Sequence, residues 1–310
     1  MNVIVAGGTG LAGSAIVRAY ERQGIHVTSI GRKSVDLLDR DATFDFIKRA
    51  KPDVIVDAAA KVGGIVANDT YPVEFLADNL RIQNNLLEAA FAADVEKFIF
   101  LGSSCIYPRD CQQPIKEEYL LTGPLEPTNS AYAIAKIAGI ELVNSFRKEY
   151  GRKWISLMPT NLYGPNDNFE PQGSHVLPAF IRRFVQAKIA NFESETLWGT
   201  GKPTREFLHV DDLAEAVVYF QDSYDTSDHL NIGSGREISI KDLALLVASA
   251  ANFQGKIDWD SSKPDGTPRK VLDSVKANNL GWKARISLEE GVASTIEWYL
   301  KQLDNGSLRL

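Results

Sequence analysis

Cysteine is nearly absent from this chain: Cys105 and Cys111 are the two in 310 residues. Two thiols make no disulfide framework, and the expectation is a reducing compartment. No apolar run approaches the roughly 18–20 residues that span a bilayer. The opening MNVIVAGG has no basic n-region, apolar h-region or small-residue cleavage site, so no secretory leader is expected. The expectation is therefore a cytoplasmic protein without a membrane partner. Positive charge is also in deficit, with a net charge of −6 and a pI near 5.4. Such a surface repels phosphates and argues against nucleic acid, so any polyanionic ligand needs a local basic pocket. The four histidines form no H-x-x-x-H or Cys/His cluster, and no metal is expected. Internal repeats and low-complexity tracts are missing too.

What is present is strand and helix in alternation. NVIVAG (2–7), HVTSIG (26–31), DVIVDAAA (53–60), KFIFLGSS (97–104) and KWISLMPT (153–160) are short apolar runs of the kind buried in a sheet. Helical spacing covers 11–24, 79–94 and 128–150. This alternation predicts an α/β fold, a doubly wound parallel (Rossmann) sheet covered on both faces. After about residue 161 the pattern changes. GPNDNFEPQGSH (164–175) is expected to be loop. HLNIGSG (229–235) is expected to return to the sheet, with further helices near 239–253 and 287–304. The expected division is a nucleotide-binding domain of residues 1–161, rejoined by 207–232, and a smaller α/β substrate domain of 162–206 and 233–310.

GGTGLAG (7–13) sets Gly7, Gly10 and Gly13 at G-x-x-G-x-x-G spacing between the first strand and the first helix. Glycines there allow a tight turn, and the helix N-terminus offers N–H groups to a pyrophosphate; a turn with no ligand is the other reading. After the second strand, Arg32 and Lys33 stand where NAD-binding folds usually carry an acid. A 2′-phosphate needs cations there, so NADP(H) is favoured over NAD. No cation lies within the loop, so this preference rests on those two residues.

SAYAIAKIAGIELV places Tyr132 and Lys136 four apart, on one face of a helix. An ammonium beside a phenol lowers its pKa and suits it to acid–base work, and Ser103 could bond the same carbonyl oxygen. With the glycine loop, this resembles the extended short-chain dehydrogenase/reductases. The resemblance implies that the tyrosine moves the proton of the reacting oxygen and that the lysine also holds nicotinamide ribose hydroxyls. AAAKVGGIVAND (58–69), SSCIYP (103–108), LEPTN (125–129), MPTNLYGPNDNF (158–169), REFLHVDD (205–212) and KPDGTPRK (263–270) are similar to one branch of that family. Its members epimerise and reduce GDP-4-keto-6-deoxy sugars.

That resemblance implies an NADP-dependent oxidoreductase with 3,5-epimerase activity, acting on a GDP-sugar. A C4 ketone acidifies the protons on C3 and C5, and inverting a centre needs one group to take a proton and another to return it. By resemblance Cys105 and His175 are that pair; thiol and imidazole titrate near 8.5 and 6.5 when unperturbed. The implied cofactor contacts are Gly7, Gly10, Leu11, Ala12, Gly13, Arg32, Lys33, Leu101, Gly102, Ser103, Tyr132, Lys136, Pro159, Asn161, Leu162 and His175. The implied substrate contacts are Arg183, Trp198, Arg205 and Asp265, with Arg205 for the pyrophosphate. Arg183 and Asp265 also have ordinary surface explanations. Cys111 keeps a structural reading, His26 and His229 are expected at strand edges, and His209 at a helix start. A homodimer through helices that include the Tyr132–Lys136 segment is implied as well. Alternatives are another GDP-4-keto sugar (3,6-dideoxy or heptose), a pure sugar isomerase, and a non-catalytic NADP-sensing protein.

Overall fold

The computed structural model of this protein describes residues 1–171, 173–263 and 265–308. Its first half runs β1 (Asn2–Ala6), α1 (Leu11–Arg22), β2 (His26–Ile30), α2 (Arg40–Ala50), β3 (Val54–Asp57), α3 (Ile65–Thr70), α4 (Pro72–Ala92), β4 (Lys97–Leu101), α5 (Ser130–Tyr150) and β5 (Ile155–Pro159). Most of these strands are buried from end to end, which is why they read as unbroken apolar runs rather than as alternation. α4 begins earlier than its apolar spacing suggests, with Pro72 in the first turn, where its missing N–H costs nothing. α2 buries only Thr43 and Ile47 fully, while Ala42, Phe44, Phe46 and Ala50 pack partly exposed against the second core; Asp39 starts it by accepting the Ala42 N–H at 3.0 Å.

The remainder runs β6 (Asn161–Tyr163), α6 (Val176–Ile189), β7 (Ser194–Trp198), β8 (Thr204–His209), α7 (Val210–Ser223), β9 (Leu230–Ile232), β10 (Glu237–Ser239), α8 (Ile240–Ala250), β11 (Lys256–Asp260), β12 (Arg269–Lys270), α9 (Val275–Asn279) and α10 (Leu288–Asp304). Ser287 and Glu290 form a reciprocal capping box at the start of α10.

Six parallel strands make the main sheet in the order β2-β1-β3-β4-β5-β9. Side chains alternate across it. Val3, Val5 and Val56 join α1 and α7 in one core, while Ile4, Ala6 and Phe100 join α4 and α5 in the other. The chain leaves β1 for β2 on one side and returns to β3 on the other. This reversal of strand order is where a doubly wound sheet binds ligand, at its carboxyl edge. β6, β8, β10 and β12 form a small second sheet, and β7 pairs with β11. A third core, with Phe169, Phe184, Val247 and Tyr299, lies under these elements. Leu272, Ala277 and Trp282 pack into the first two cores rather than the third, so the late chain crosses back to the main sheet.

Candidate active site

β1 delivers the glycine loop to the reversal point. Gly7 has φ +75°, and the N–H groups of Gly7 and Gly8 both donate to Ile30 O, at 2.8 and 3.1 Å. A Cβ on Gly7 would lie 2.6 Å from Ala58 O, and one on Gly13 would lie 2.2 Å from Gly7 O. The loop therefore hugs the ends of β2 and β3 with no room for side chains. α1 starts beyond Gly10 with no side-chain cap and no acid in its first turn, which leaves its leading N–H groups to an anion. The half-buried Leu11 and Ala12 form that first turn. Past β2, Ser34 closes the turn through both the N–H and the carbonyl of Gly31, each at 2.8 Å. Arg32 and Lys33 are exposed there and have no ion-pair partner among the described residues. The cradle and the two uncommitted cations fit a dinucleotide with a 2′-phosphate.

β4 ends at Leu101. Gly102 lets its backbone pass Met158, where a Cβ would lie 2.3 Å from Sδ. Ser103 caps the short turn that follows, its Oγ accepting the Cys105 N–H at 3.2 Å. From α5, the Tyr132 phenol lies close enough to Ser103 to feel it, and the buried Lys136 donates to Leu101 O at 2.9 Å. Lys136 Nζ also lies 4.7 Å from the Phe100 ring centroid. The sequence predicts an ammonium that lowers the phenol's pKa. In the structure burial dominates and raises it, helped by the Cys105 charge and opposed by Ser103. The ammonium itself turns to Leu101, so the phenol rests as a protonated acid. Burial lowers the pKa of Lys136 while Asp57 raises it. Asp57, fully buried at the end of β3, was not singled out from sequence.

Cys105 is half-buried, and two donors converge on its sulfur: Asn129 Nδ2 at 3.5 Å and Lys270 Nζ at 3.6 Å. His175 stands at the N-terminus of α6 with exposed surface. Even so, enough protein surrounds the imidazole that desolvation, and then the Lys270 ammonium, lower its pKa. Lys270 thus acts on both members of the expected proton-transfer pair, a role that sequence reasoning missed. β12 carries it, with Lys270 in register with Arg205 on β8. Cys111 packs on the second core and its thiol is pushed up by burial.

Arg205 is half-buried and donates to the carbonyls of Thr204 (2.8 Å) and Thr267 (2.6 Å). It has no carboxylate partner among the described residues, which leaves a desolvated cation for an anion. Arg183 is already engaged, to Glu195 and to Thr196 O, each at 2.5 Å. Asp265 accepts the N–H and hydroxyl of Thr200 (2.8 and 2.7 Å), and Gly266 beside it abuts Arg205. Trp198, at the end of β7, is 66% exposed, a large aromatic face held open to solvent. Pro159 and Leu162 flank the step from β5 to β6, and Asn161 donates to Glu206 O at 2.8 Å. Glu206, also unforeseen, is fully buried and ties Leu272 and Gly235 to β8. His209 caps α7, His26 opens β2, and buried His229 meets the Tyr107 hydroxyl at 2.9 Å. Among the described residues, no group of three or more His, Cys, Asp or Glu is placed to hold a metal ion.

The model of the NAD dependent epimerase/dehydratase family matches residues 3–233. GDP-L-fucose synthase 1 of Arabidopsis thaliana is 52% identical over 306 residues, covering 98% of this chain and 94% of that protein. GDP-L-fucose synthase of Escherichia coli (strain K12) is 48% identical over 312 residues, 97% of each. A crystal structure of a GDP-L-fucose synthetase from Naegleria fowleri bound to NADP superposes with a TM-score of 0.90 at 29% identity, covering 99% of this chain and 96% of that one.

Proposed function

The chain belongs to the NAD dependent epimerase/dehydratase family, and from that membership and its site we infer that it catalyses the GDP-L-fucose synthase reaction with NADP(H). It epimerises GDP-4-keto-6-deoxy-D-mannose at C3 and C5 and reduces C4. The observation that carries this reading is the junction of two acid–base sets at one turn: Ser103, which acts on the Tyr132 phenol, also caps the N–H of Cys105, whose sulfur meets Asn129 and Lys270.

Each residue has a task in this reading. Cys105 and His175 take and return the protons on C3 and C5. Tyr132 and Ser103 donate to the C4 oxygen while it carries the enolate charge. Bound NADPH supplies the hydride that reduces C4. Tyr132, protonated at rest, gives that oxygen its proton. The glycine loop and the start of α1 hold the pyrophosphate of the cofactor, Arg32 and Lys33 its 2′-phosphate, and Lys136 its ribose. Arg205 takes the sugar-nucleotide diphosphate, with Trp198 and Asp265 at the rim for the rest of the nucleotide. Arg183 reaches it only by leaving Glu195.

The same reading has the protein work in the cytoplasm as a homodimer, and exposed Val73 on α4 and Ile134 on α5 support a helical interface. Among the described residues no helix is long and apolar enough to cross a membrane. It also has two working units, 1–161 with 207–232 for the cofactor and 162–206 with 233–310 for the sugar, the latter sending Leu272, Ala277 and Trp282 back into the main-sheet cores. β9 in the main sheet and the separate third core support that division. The test is to supply purified protein with GDP-4-keto-6-deoxy-D-mannose and NADPH and identify the product by NMR. GDP-L-fucose is expected; a sugar reduced at C4 with C3 and C5 unchanged contradicts the reading.

A further inference from the structure

Asp57 takes no part in the steps above, yet it is the buried acid beneath them. It has no exposed surface. Because Val56 faces the α1 core, Asp57 faces the α5 core, as its register partners Ala6 and Phe100 do. α5 sits down on the Phe100 ring at Gly139, where a Cβ would come within 2.3 Å of it. One turn earlier on the same helix, Lys136 holds its ammonium over that ring. Asp57 Oδ1 accepts the Ala59 N–H at 3.1 Å, while Oδ2 is buried with no hydrogen-bond partner among the described residues. A carboxylate oxygen left in that state is costly unless a charge nearby offsets it. Lys136 is the cation that acts on Asp57, and Asp57 is the acid that acts on Lys136.

On the reading of Lys136 and Tyr132 given above, we propose that Asp57 is a positioning residue of the reductase site, whose carboxylate keeps the Lys136 ammonium charged and turned to Leu101 beside Tyr132. Burial raises Asp57 to about 6 against the pull of Lys136 and the Ala59 N–H, so it gains a proton just below neutrality. The counter-charge is then lost, and the burial of Lys136 is left unopposed. Few other groups bear on this exchange. Tyr132 faces it from α5; β1 and β4 present Ala6 and Phe100; none of the buried side chains of α4 titrates.

The test is Asp57→Asn, which keeps the size and the acceptor for Ala59 N–H but removes the charge. Reduction should fall in kcat, with KM for the sugar little changed. The alkaline limb of the pH profile should move to lower pH and the limb near pH 6 should vanish, with Asp57→Glu restoring the alkaline limb. Should Asp57→Asn not fold, 13C NMR of aspartate-labelled protein reads the same coupling. The carboxyl titrating near 6 must move up in Lys136→Met, and an unmoved resonance overturns the proposal. Lys136→Met also separates the two levels of inference. If it remains active, the reading of Lys136 fails. If it is inactive while the profile of Asp57→Asn superimposes on wild type, the role of Asp57 alone is overturned.

Discussion

At the scale of single residues, Cys105 meets two N–H donors of different kinds, the Asn129 amide and the Lys270 ammonium. In the proposed reading a sulfur so placed serves proton transfer rather than core packing. Cys105→Ser should therefore lower deuterium uptake at C3 and C5 by roughly 10²–10⁴, the usual worth of a general acid–base group, with the melting temperature little changed; full uptake by this variant would remove Cys105 from the reaction. Burial and then the Lys270 ammonium lower the pKa of His175, so Lys270→Met should let the imidazole titrate at higher pH, as followed by histidine NMR. Spacing and context single out Tyr132, Lys136 and Ser103, and resemblance singles out Cys105 and His175; the proposed roles of all five await test. Lys270 was not legible, although its string was in view: a lysine in a Pro- and Gly-rich stretch looks like solvated charge. Its contact to the thiol spans 165 positions of sequence. Asp57 hid for a related reason, because one acid at the end of VIVD reads as the polar stop of a strand.

At the scale of elements, the glycine loop shows how little freedom a binding turn retains. A Cβ on Gly13 would meet backbone at 2.2 Å, and backbone cannot step aside as a flexible side chain can. Gly13→Ala should thus weaken NADPH binding about tenfold or more, in keeping with the ~1–3 kcal/mol typical of overpacking. Fluorescence titration checks this, and unaltered affinity would show that the loop adapts. Long, uniformly buried strands such as β4 and β5 were readable because burial wrote them as apolar runs. β6, β10 and β12 were not, since two or three residues carry no period and their pairing with β8 makes them strands. α2 escaped because its apolar residues, Phe44, Phe46 and Ile47, are interleaved with charges and mostly only partly buried.

At the scale of the whole molecule, acid should unfold the protein partly through its histidines. His229, walled in beside Tyr107, is lowered to about 4, first by burial and then by the Lys276 ammonium. His209 is lowered too, chiefly by burial. An unfolded histidine gains its proton near 6.5, so the unfolded state binds more protons between pH 6.5 and 4. The stability from a neutral His229 is complete above 6.5 and is lost as pH falls through that window, by about 3 kcal/mol at most. His229→Gln should narrow the gap between urea unfolding at pH 7.5 and at pH 4.5; equal gaps in the two proteins would deny His229 this role. The central claim is that one site both exchanges protons and reduces. Its most direct test is to incubate wild-type protein with GDP-4-keto-6-deoxy-D-mannose in D2O, with and without NADPH, and read the sugar by NMR. The account predicts deuterium at C3 and C5 in both samples and GDP-L-fucose only with NADPH; a reduced product carrying no deuterium would contradict it.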